Sequence, residues 1–427
     1  MIPPPTLYFF KEEFKYTLWV LIALVIVRLG FEYLSYREFV SKPFYFTQAT
    51  VVDSYTKTKH NYTYTVLKLQ SKNLTFYTTT HKRSDFANTS LRLELFPTTD
   101  ISFASYLSSF YVKSKIKSIH KLPQTTKLQV IQYIQKQHDN PLLSQFFSAI
   151  FFATPLPKDI REQISKLGIS HLVALSGLHL GLLWSFIYMI LYYPYRYLHY
   201  NVFPYRFIYF DLGFIALVVL GFYVYFVGYP PSLIRAYGMI FFAWLMLILG
   251  IEVLDFELFA TVVAILLVLM PWLVFSIGFW LSVAGVFYIL LTLRYTKRYS
   301  AKVITFVILP FVIFLLMQPI VHTIFPMTTI YQLLSPILSV LFTPFYIISI
   351  ILHLFGWGGV FDSLLTTLLT LDITSVDIKL PIWLLVGYLY LSYKAVSNKR
   401  YFYILLVTAS LYNLVNIIIF IYEITKS

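Results

Sequence analysis

Apolar runs long enough to cross a bilayer recur along this chain from residue 16 to residue 422, and one long polar stretch near the N-terminus interrupts them. An α-helix needs about 20 such residues to span the hydrocarbon. The first run, YTLWVLIALVIVRLGFEYL at 16–34, follows a tail of residues 1–15 with Pro3, Pro4 and Pro5. Polar sequence without a small-residue cleavage pattern comes next, so the run reads as a retained first transmembrane helix over 16–36 rather than a signal peptide. Residues 43–118 change to period-2 alternation in FYFTQATVV, YTYTVLKLQ, LTFYTTT and LRLELF. Those are strand signals, and four or five short strands in so few residues predict a small β-barrel of the OB type. Residues 120–166 carry Leu128, Ile131 and Ile134 at helical spacing, which predicts amphipathic helices lying at the membrane surface.

From 167 to 427 the sequence is nearly continuous membrane sequence. About eight further spans are expected, at 170–193, 207–227, 232–250, 257–275, 277–293, 303–325, 381–396 and 402–422. Pro336, Pro344 and the Gly356-Trp357-Gly358-Gly359 run punctuate 331–370, which reads equally as a straight span or as a broken or re-entrant pair. The expected fold class is a polytopic all-α integral membrane protein with an N-terminal extracytoplasmic OB-like β-barrel.

Composition agrees. The 427 residues are 58% hydrophobic and 12% charged, with a mean hydropathy of +0.72, against roughly 45–50% apolar and 25% charged for soluble proteins. There is no cysteine, which removes disulfides, zinc-thiolate sites and thiol nucleophiles together. The net charge is +14, from 33 Lys and Arg against 19 Asp and Glu. Part of the excess is topogenic. The rest gathers between residues 57 and 136, where it should attract polyanions or anionic headgroups.

Short-loop cations mark the cytoplasmic side. The clusters are Lys11 and Lys15; Arg196 and Arg206; Arg294, Lys297, Arg298 and Lys302; and Lys394, Lys399 and Arg400. Placing all four inside puts the N-terminus in the cytoplasm and residues 35–165 outside, with Asp362, Asp372 and Asp377 outside as well. The expected location is the cytoplasmic (inner) membrane, multi-pass.

Three stretches carry polar residues where they are expensive. HLVALSGLHLGLLWSF, from His171, holds His171, Ser176 and His179, with Gly177 and Gly181 at i, i+4 as a close-packing stripe. GYPPSLIRAYGMIFFAW, from Gly228, puts Arg235 about one turn after Pro230 and Pro231. An arginine in that position costs about 2.5–3.5 kcal/mol on insertion scales, so it needs a partner or a task such as facing passing phosphates. MPWLVFSIGFWLSVAGVFYILL, from Met270, places Ser276, Gly278, Phe279, Ser282 and Gly285 together. Interhelical hydrogen bonding for Ser176 and His179, snorkelling for Arg235 and plain helix packing for the third stretch account for each one taken singly.

Together, and in this order, the three stretches resemble the ComEC family of competence proteins. That family carries a His-x-x-x-x-Ser-Gly-Leu-His run, then Pro-x-x-x-Arg-Ala, then Pro-x-x-x-x-x-x-Gly-Phe-x-Leu-Ser, found here at 171–179, 231–236 and 271–282. The resemblance covers roughly 16–425 and implies an inner-membrane channel that passes single-stranded DNA during natural transformation, with His171, Ser176, Gly177, His179, Gly181, Arg235, Gly278, Phe279 and Ser282 along the DNA path. It implies a monomer or homo-oligomer fed by an extracytoplasmic DNA receptor. The chain is expected to be a short form without the C-terminal metallo-β-lactamase-like domain of many members, because its nine histidines include no His-x-His and no His-x-Glu spacing. A separate nuclease is then expected. No Gly precedes a Lys, so a GxxxxGK[ST] loop is absent. Phosphates entering a negative-inside cell work against about 2.3 kcal/mol per charge per 100 mV, so a cytoplasmic motor or DNA-capturing protein is expected as well. The chain is accordingly read as a transporter and not an enzyme, with no cofactor and no metal.

The polar domain has cations for phosphates and aromatics for base stacking. Lys57, Lys59, Tyr62, Tyr64, Lys68, Lys82 and Arg83 are the candidates for single-stranded DNA, with Tyr55 and Phe76 as further aromatics. Half of a strand's aromatics belong to its core, however. Two alternatives stand beside the channel: an intramembrane serine protease pairing Ser176 with His322 or His353, and a lipid or polymer flippase. Neither gives a basic β domain a task.

Overall fold

The computed structural model describes residues 7, 11–59, 62–71, 74–81, 86, 88–123, 125–202, 204–251 and 255–426. They form two compact units, residues 8–126 with 260–277, and residues 1–7 and 127–259 with 278–427.

The first unit opens with α1 (Lys11–Ser41), whose apolar length makes it a candidate membrane span over Glu12–Ser41. Strands β1 (Tyr45–Lys59), β2 (Tyr62–Ser71), β3 (Leu74–Thr80) and β4 (Thr89–Phe96) follow, then the short helix α2 (Phe103–Ser108), β5 (Phe110–Tyr111) and β6 (Lys113–Lys121). Alternation turns Ala49, Leu67, Leu69, Phe76, Leu91, Leu93 and Leu95 to one buried face. The last turns of α1 complete that core. Phe39 is buried against Tyr106 and Phe110, and Tyr36 donates its hydroxyl proton to the Ile101 carbonyl at 2.7 Å. Helix and sheet in this unit are therefore packed together directly.

The strand order is β5-β3-β2-β1-β4-β6. It has two ends, so the expected closed barrel is corrected to an open six-stranded sheet. The terminal strands are consecutive in the chain, with only Val112 between them, yet no ladder joins them: β5 runs parallel to β3, and β6 runs antiparallel to β4. Alternation predicted the strands; it holds no information on whether the ladder's ends meet.

The second unit is helical: α3 (Thr126–Gln135), α4 (Pro141–Phe152), α5 (Lys158–Lys166), α6 (Ser170–Val173), α7 (Gly177–Asn201), α8 (Ile208–Val227), α9 (Pro231–Ile248), α10 (Phe256–Leu269), α11 (Ile277–Thr296), α12 (Ala301–Val303), α13 (Leu309–Ile324), α14 (Ser335–Leu354), α15 (Asp362–Leu369), α16 (Ile382–Ser397) and α17 (Lys399–Lys426). The division between units falls inside α10 and at the start of α11. A π-helical turn at Ile304–Ile308 joins α12 to α13, making one helical run. Two-residue strands β7 (Met327–Thr328) and β8 (Val376–Asp377) pair antiparallel, a small departure from the all-α expectation.

Among the described residues, six helices are long and apolar enough to cross a membrane: Glu12–Ser41, Ile208–Val227, Ile277–Thr296, Ala301–Ile324, Ile330–Leu354 and Lys399–Lys426. They fit a multi-pass membrane protein. The runs expected at 232–250, 257–275 and 381–396 form the shorter apolar helices Ser232–Ile248, Phe256–Leu269 and Ile382–Ser397. Within 331–370 the chain makes one uninterrupted helix, α14, with Pro336 in its first turn, followed by the short α15.

Within 120–166, α4 is buried more deeply than α3 and α5. Asn140 caps α4 by accepting from the Leu142 N–H at 3.0 Å, and the left-handed Ala153 (φ +55) ends it. Between those stops Leu143 and every residue from Phe146 to Phe152 are buried. A surface helix would leave one face wet. From Phe146 to Phe152 this one is packed all round in the unit's largest core, with Leu220, Val224, Leu233, Tyr346 and Leu365, while Pro141 and Leu142 stay exposed.

Candidate functional site

The three polar stretches all fall at helix starts. α6 ends at Val173, the backbone leaves the helix at Ala174, and Ser176 opens α7 with an extended conformation (φ −142°, ψ −177°). The expected single span at 170–193 is thus broken before Gly177. The first N–H groups of a helix lack intrahelical partners. Here the Ser176 N–H donates to His179 Nδ1 at 3.2 Å, so an imidazole takes the place of the usual Glu or Gln of a capping box. His179 is fully buried, with its ring edge-on to Tyr346 (4.8 Å) and Phe342 (5.3 Å) of α14. His171 Nε2 lies 3.3 Å from Ser339 Oγ, also on α14.

α8 ends in the left-handed pair Gly228 (φ +96°) and Tyr229 (φ +56°), and α9 starts at Pro231, where a missing N–H costs nothing. The Lys127 ammonium donates to the Val227 carbonyl at the end of α8. Burial holds that ammonium below the usual lysine range.

Arg235, only 8% exposed, donates from Nη2 to the Gly278 carbonyl at 3.3 Å and sits 5.9 Å from the centre of the Phe279 ring. Gly278 is the second residue of α11, and a Cβ there would stand 3.8 Å from both terminal guanidinium nitrogens. At the start of α7, a Cβ on Gly177 would lie 3.6 Å from that of Ala236. The starts of α7, α9 and α11 are therefore linked by contact, with Gly177 against Ala236 and Arg235 against Gly278. Each helix start carries partial positive charge, and together with a guanidinium they suit an anion.

The close-packing stripe is shorter than expected. Nothing lies within 4 Å of a Cβ placed on Gly181, so only Gly177 packs closely. Phe279 is fully buried and Ser282 half-buried. His322 and His353 are not among the hydrogen-bond partners of Ser176. His322 Nδ1 is 3.0 Å from the Tyr412 hydroxyl and from Asn416 Nδ2, while His353 bonds to His138 and to the Ser349 carbonyl. The Ser-His pair of the protease reading is not assembled.

Two buried polar clusters escaped the sequence reading. One joins His138, His353 and Asp362. The other lines a cavity of about 20 Å³ with Gln318, His322, Thr328, Thr329, Gln332, Asn413 and Asn416, room for roughly one water. Polar residues within apolar runs were the visible signal; their pairing across ninety or more positions was not. Among the described residues no three His, Cys, Asp or Glu side chains converge as a metal ion would require.

On the sheet, the register places Asp53, Lys68 and Tyr77 in one row, Tyr55, Val66 and Thr79 in the next, and Lys57 opposite Tyr64. These rows share the face turned away from Leu67 and Leu69. Lys57 lies 5.6 Å from the Tyr55 ring centre and Lys68 5.8 Å from that of Tyr77. Exposed Tyr111, bonded to Thr79 at 3.0 Å, extends the face. Lys59 and Tyr62 are register partners at the end of the ladder, their side chains outside the described residues, as are Lys82 and Arg83 entirely. Phe76 is fully buried and belongs to the core, which removes it from the stacking candidates. A second basic row, Lys113, Lys115 and Lys117 on β6, was not foreseen, and Lys117 sits 5.9 Å from the ring centre of exposed Phe46.

Residues 153–422, more than half of the chain, match the family described as competence protein. The chain belongs to the competence protein family. Over 189 residues it is 29% identical to Recombination protein 2 of Haemophilus influenzae, a match covering 42% of this chain and 23% of that protein. The match thus spans about a quarter of that relative's length. No solved structure matches the chain. Membership of the competence family implies a role in DNA uptake. The three helix starts lie inside the family match and the β sheet lies before it.

Proposed function

We propose that this competence-family chain is the cytoplasmic-membrane channel through which one DNA strand enters the cell. The observation that carries the reading is the contact-linked cluster of three helix starts around Arg235. Interrupted helices whose N-termini face an anionic substrate are a recurring device in transporters. In this reading His171, Ser176, Gly177, His179, Arg235, Gly278, Phe279 and Ser282 border the path. The Tyr55–Lys57–Tyr64–Lys68 face of the sheet, placed outside with residues 35–165, tracks the incoming strand by stacking and phosphate contacts. A receptor delivers the DNA, a separate nuclease removes the second strand, and a cytoplasmic motor or DNA-capturing protein draws the strand inward.

The test is a strain without the gene. Fluorescent DNA should still accumulate outside the cytoplasmic membrane, while entry to the cytosol and recombinant recovery fall to background. Cytosolic entry in that strain, or failure to capture DNA at all, would sink the reading.

A further inference from the structure

The second unit buries a chain of titratable groups that a DNA path does not use. His138, in the turn after α3, is 2.9 Å through Nδ1 from Asp362 Oδ1 and 2.9 Å through Nε2 from His353 Nε2. His353, in the last turn of α14, is 2.6 Å through Nδ1 from the Ser349 carbonyl. Both imidazoles are buried, His138 at 7% and His353 at 3% exposure.

Hydrogen-bond chemistry fixes the proton count. A carbonyl only accepts, so His353 Nδ1 carries a proton. With one proton on Nδ1, a neutral His353 accepts at Nε2, so the Nε2–H belongs to His138. The remaining bond, from His138 Nδ1 to a carboxylate, needs one proton more than two neutral imidazoles possess. The intact relay therefore holds one excess proton between His138 Nδ1 and Asp362 Oδ1. The Phe147 ring lies parallel to His138 at 4.5 Å and 5°, and an aromatic face suits a cation there.

The relay closes over a glycine turn. Gln137 donates from Nε2 to the His353 carbonyl at 3.1 Å and accepts the Gly358 N–H at 2.9 Å. A Cβ on Gly358 would stand 2.6 Å from His353 Nε2 and 2.7 Å from Gln137 Oε1, so only glycine fits. Phe147 and Phe151 of α4 wall the relay with apolar rings. Among the described residues, the other titratable groups nearby are exposed Tyr133, Lys136 and Asp139, and Tyr346, buried behind Phe151.

We propose that Asp362, His138 and His353 form a proton-held latch fastening the turn at residues 355–361 to the α3–α4 segment. Loss of the excess proton leaves a carboxylate facing an imidazole lone pair. A further proton sets two N–H groups face to face between the rings. The latch is closed between these limits and opens on both sides of them. Its opening frees the turn that carries exposed Phe355, Trp357 and Val360.

The test uses the full chain in detergent, where the natural lack of cysteine lets Lys136→Cys and Val360→Cys carry spin labels across the latch. The distance distribution should be narrow at intermediate pH and at least about twice as wide at both alkaline and acid pH. Asp362→Asn separates the latch from simple packing. An amide can donate to His138 Nδ1, so all three bonds persist without the excess proton. That variant should lose the alkaline broadening and keep the acid broadening. A pH-independent distribution, or an Asp362→Asn profile identical to the parent, would overturn the proposal. If labelled variants fold poorly, ring-¹⁵N spectra of the unlabelled chain carry the same test. One imidazolium, lost in His138→Gln, should be present at intermediate pH, and a neutral His138 there would overturn the latch.

Discussion

The two units bury different chemistry. The sheet's core is leucine and phenylalanine, and the polar residues it buries are short hydroxyls, such as Thr78 bonded to Ser114 at 2.7 Å and Thr89 to the Phe86 carbonyl at 2.8 Å. The helical unit buries Arg235, His138, His179, His322, His353, Gln318, Asn413 and Asn416. Helices in lipid gain no hydrophobic drive from packing against one another, and each polar group placed among them is a cost. In the proposed function the helical unit bears that cost because the DNA path needs polar groups. The sheet keeps its charges and several tyrosines on the surface, which in the proposed function is the face that meets DNA.

The largest effect that would break this contrast is at Arg235. Arg235→Glu sets a carboxylate against the Gly278 carbonyl, and DNA internalisation should fall at least about a hundredfold with the protein still in the membrane fraction. Arg235→Lys keeps the charge but not the planar fork, and should cost about tenfold, or roughly 1.4 kcal/mol. Equal losses in both, with low protein levels, would make the arginine a packing element only.

A smaller effect sharpens the packing side. A Cβ on Gly213 would collide with the Trp244 ring, standing 2.7 Å from its Cδ1, whereas Gly181 has open space. Gly213→Ala should destabilise the purified chain by about 1–3 kcal/mol in thermal unfolding, and Gly181→Ala by less than about 0.5 kcal/mol. Matching shifts would show that close approach between α8 and α9 is not specific.

The smallest effect concerns the sheet. Lys57→Glu with Lys68→Glu should lower the salt dependence of single-stranded DNA binding, by about 0.7 in the log–log slope for each phosphate contact removed. An unchanged slope would transfer the binding face to Lys113, Lys115 and Lys117.

Several of these features are legible in the sequence alone. The apolar runs marked membrane helices because length and hydropathy are local properties. Alternation marked the strands for the same reason. The three motifs were found by residue type and order, and Arg235 stood out because a guanidinium in an apolar run needs a reason. The break before Gly177 was missed because Ala174 and Leu175 are apolar and continue the hydropathy of a span, although they are not helical. The depth of α4 is not legible in the sequence because its polar neighbours at 135–141 and 157–166 dilute a helix that is packed on all sides only from Phe146 to Phe152.

The sequence by itself determined the membrane class, the strand-rich insertion, the family and the motif residues, since each depends on the order of side chains along the chain. Only the tertiary structure decided that the sheet stays open, that Gly177 meets Ala236 while Arg235 meets Gly278, and that His138 meets His353 across 215 positions. Those outcomes depend on which surfaces pack together in three dimensions. A buried imidazole or guanidinium takes whatever partner the packing brings within about 3 Å, the reach of a hydrogen bond, and nothing local to it names that partner.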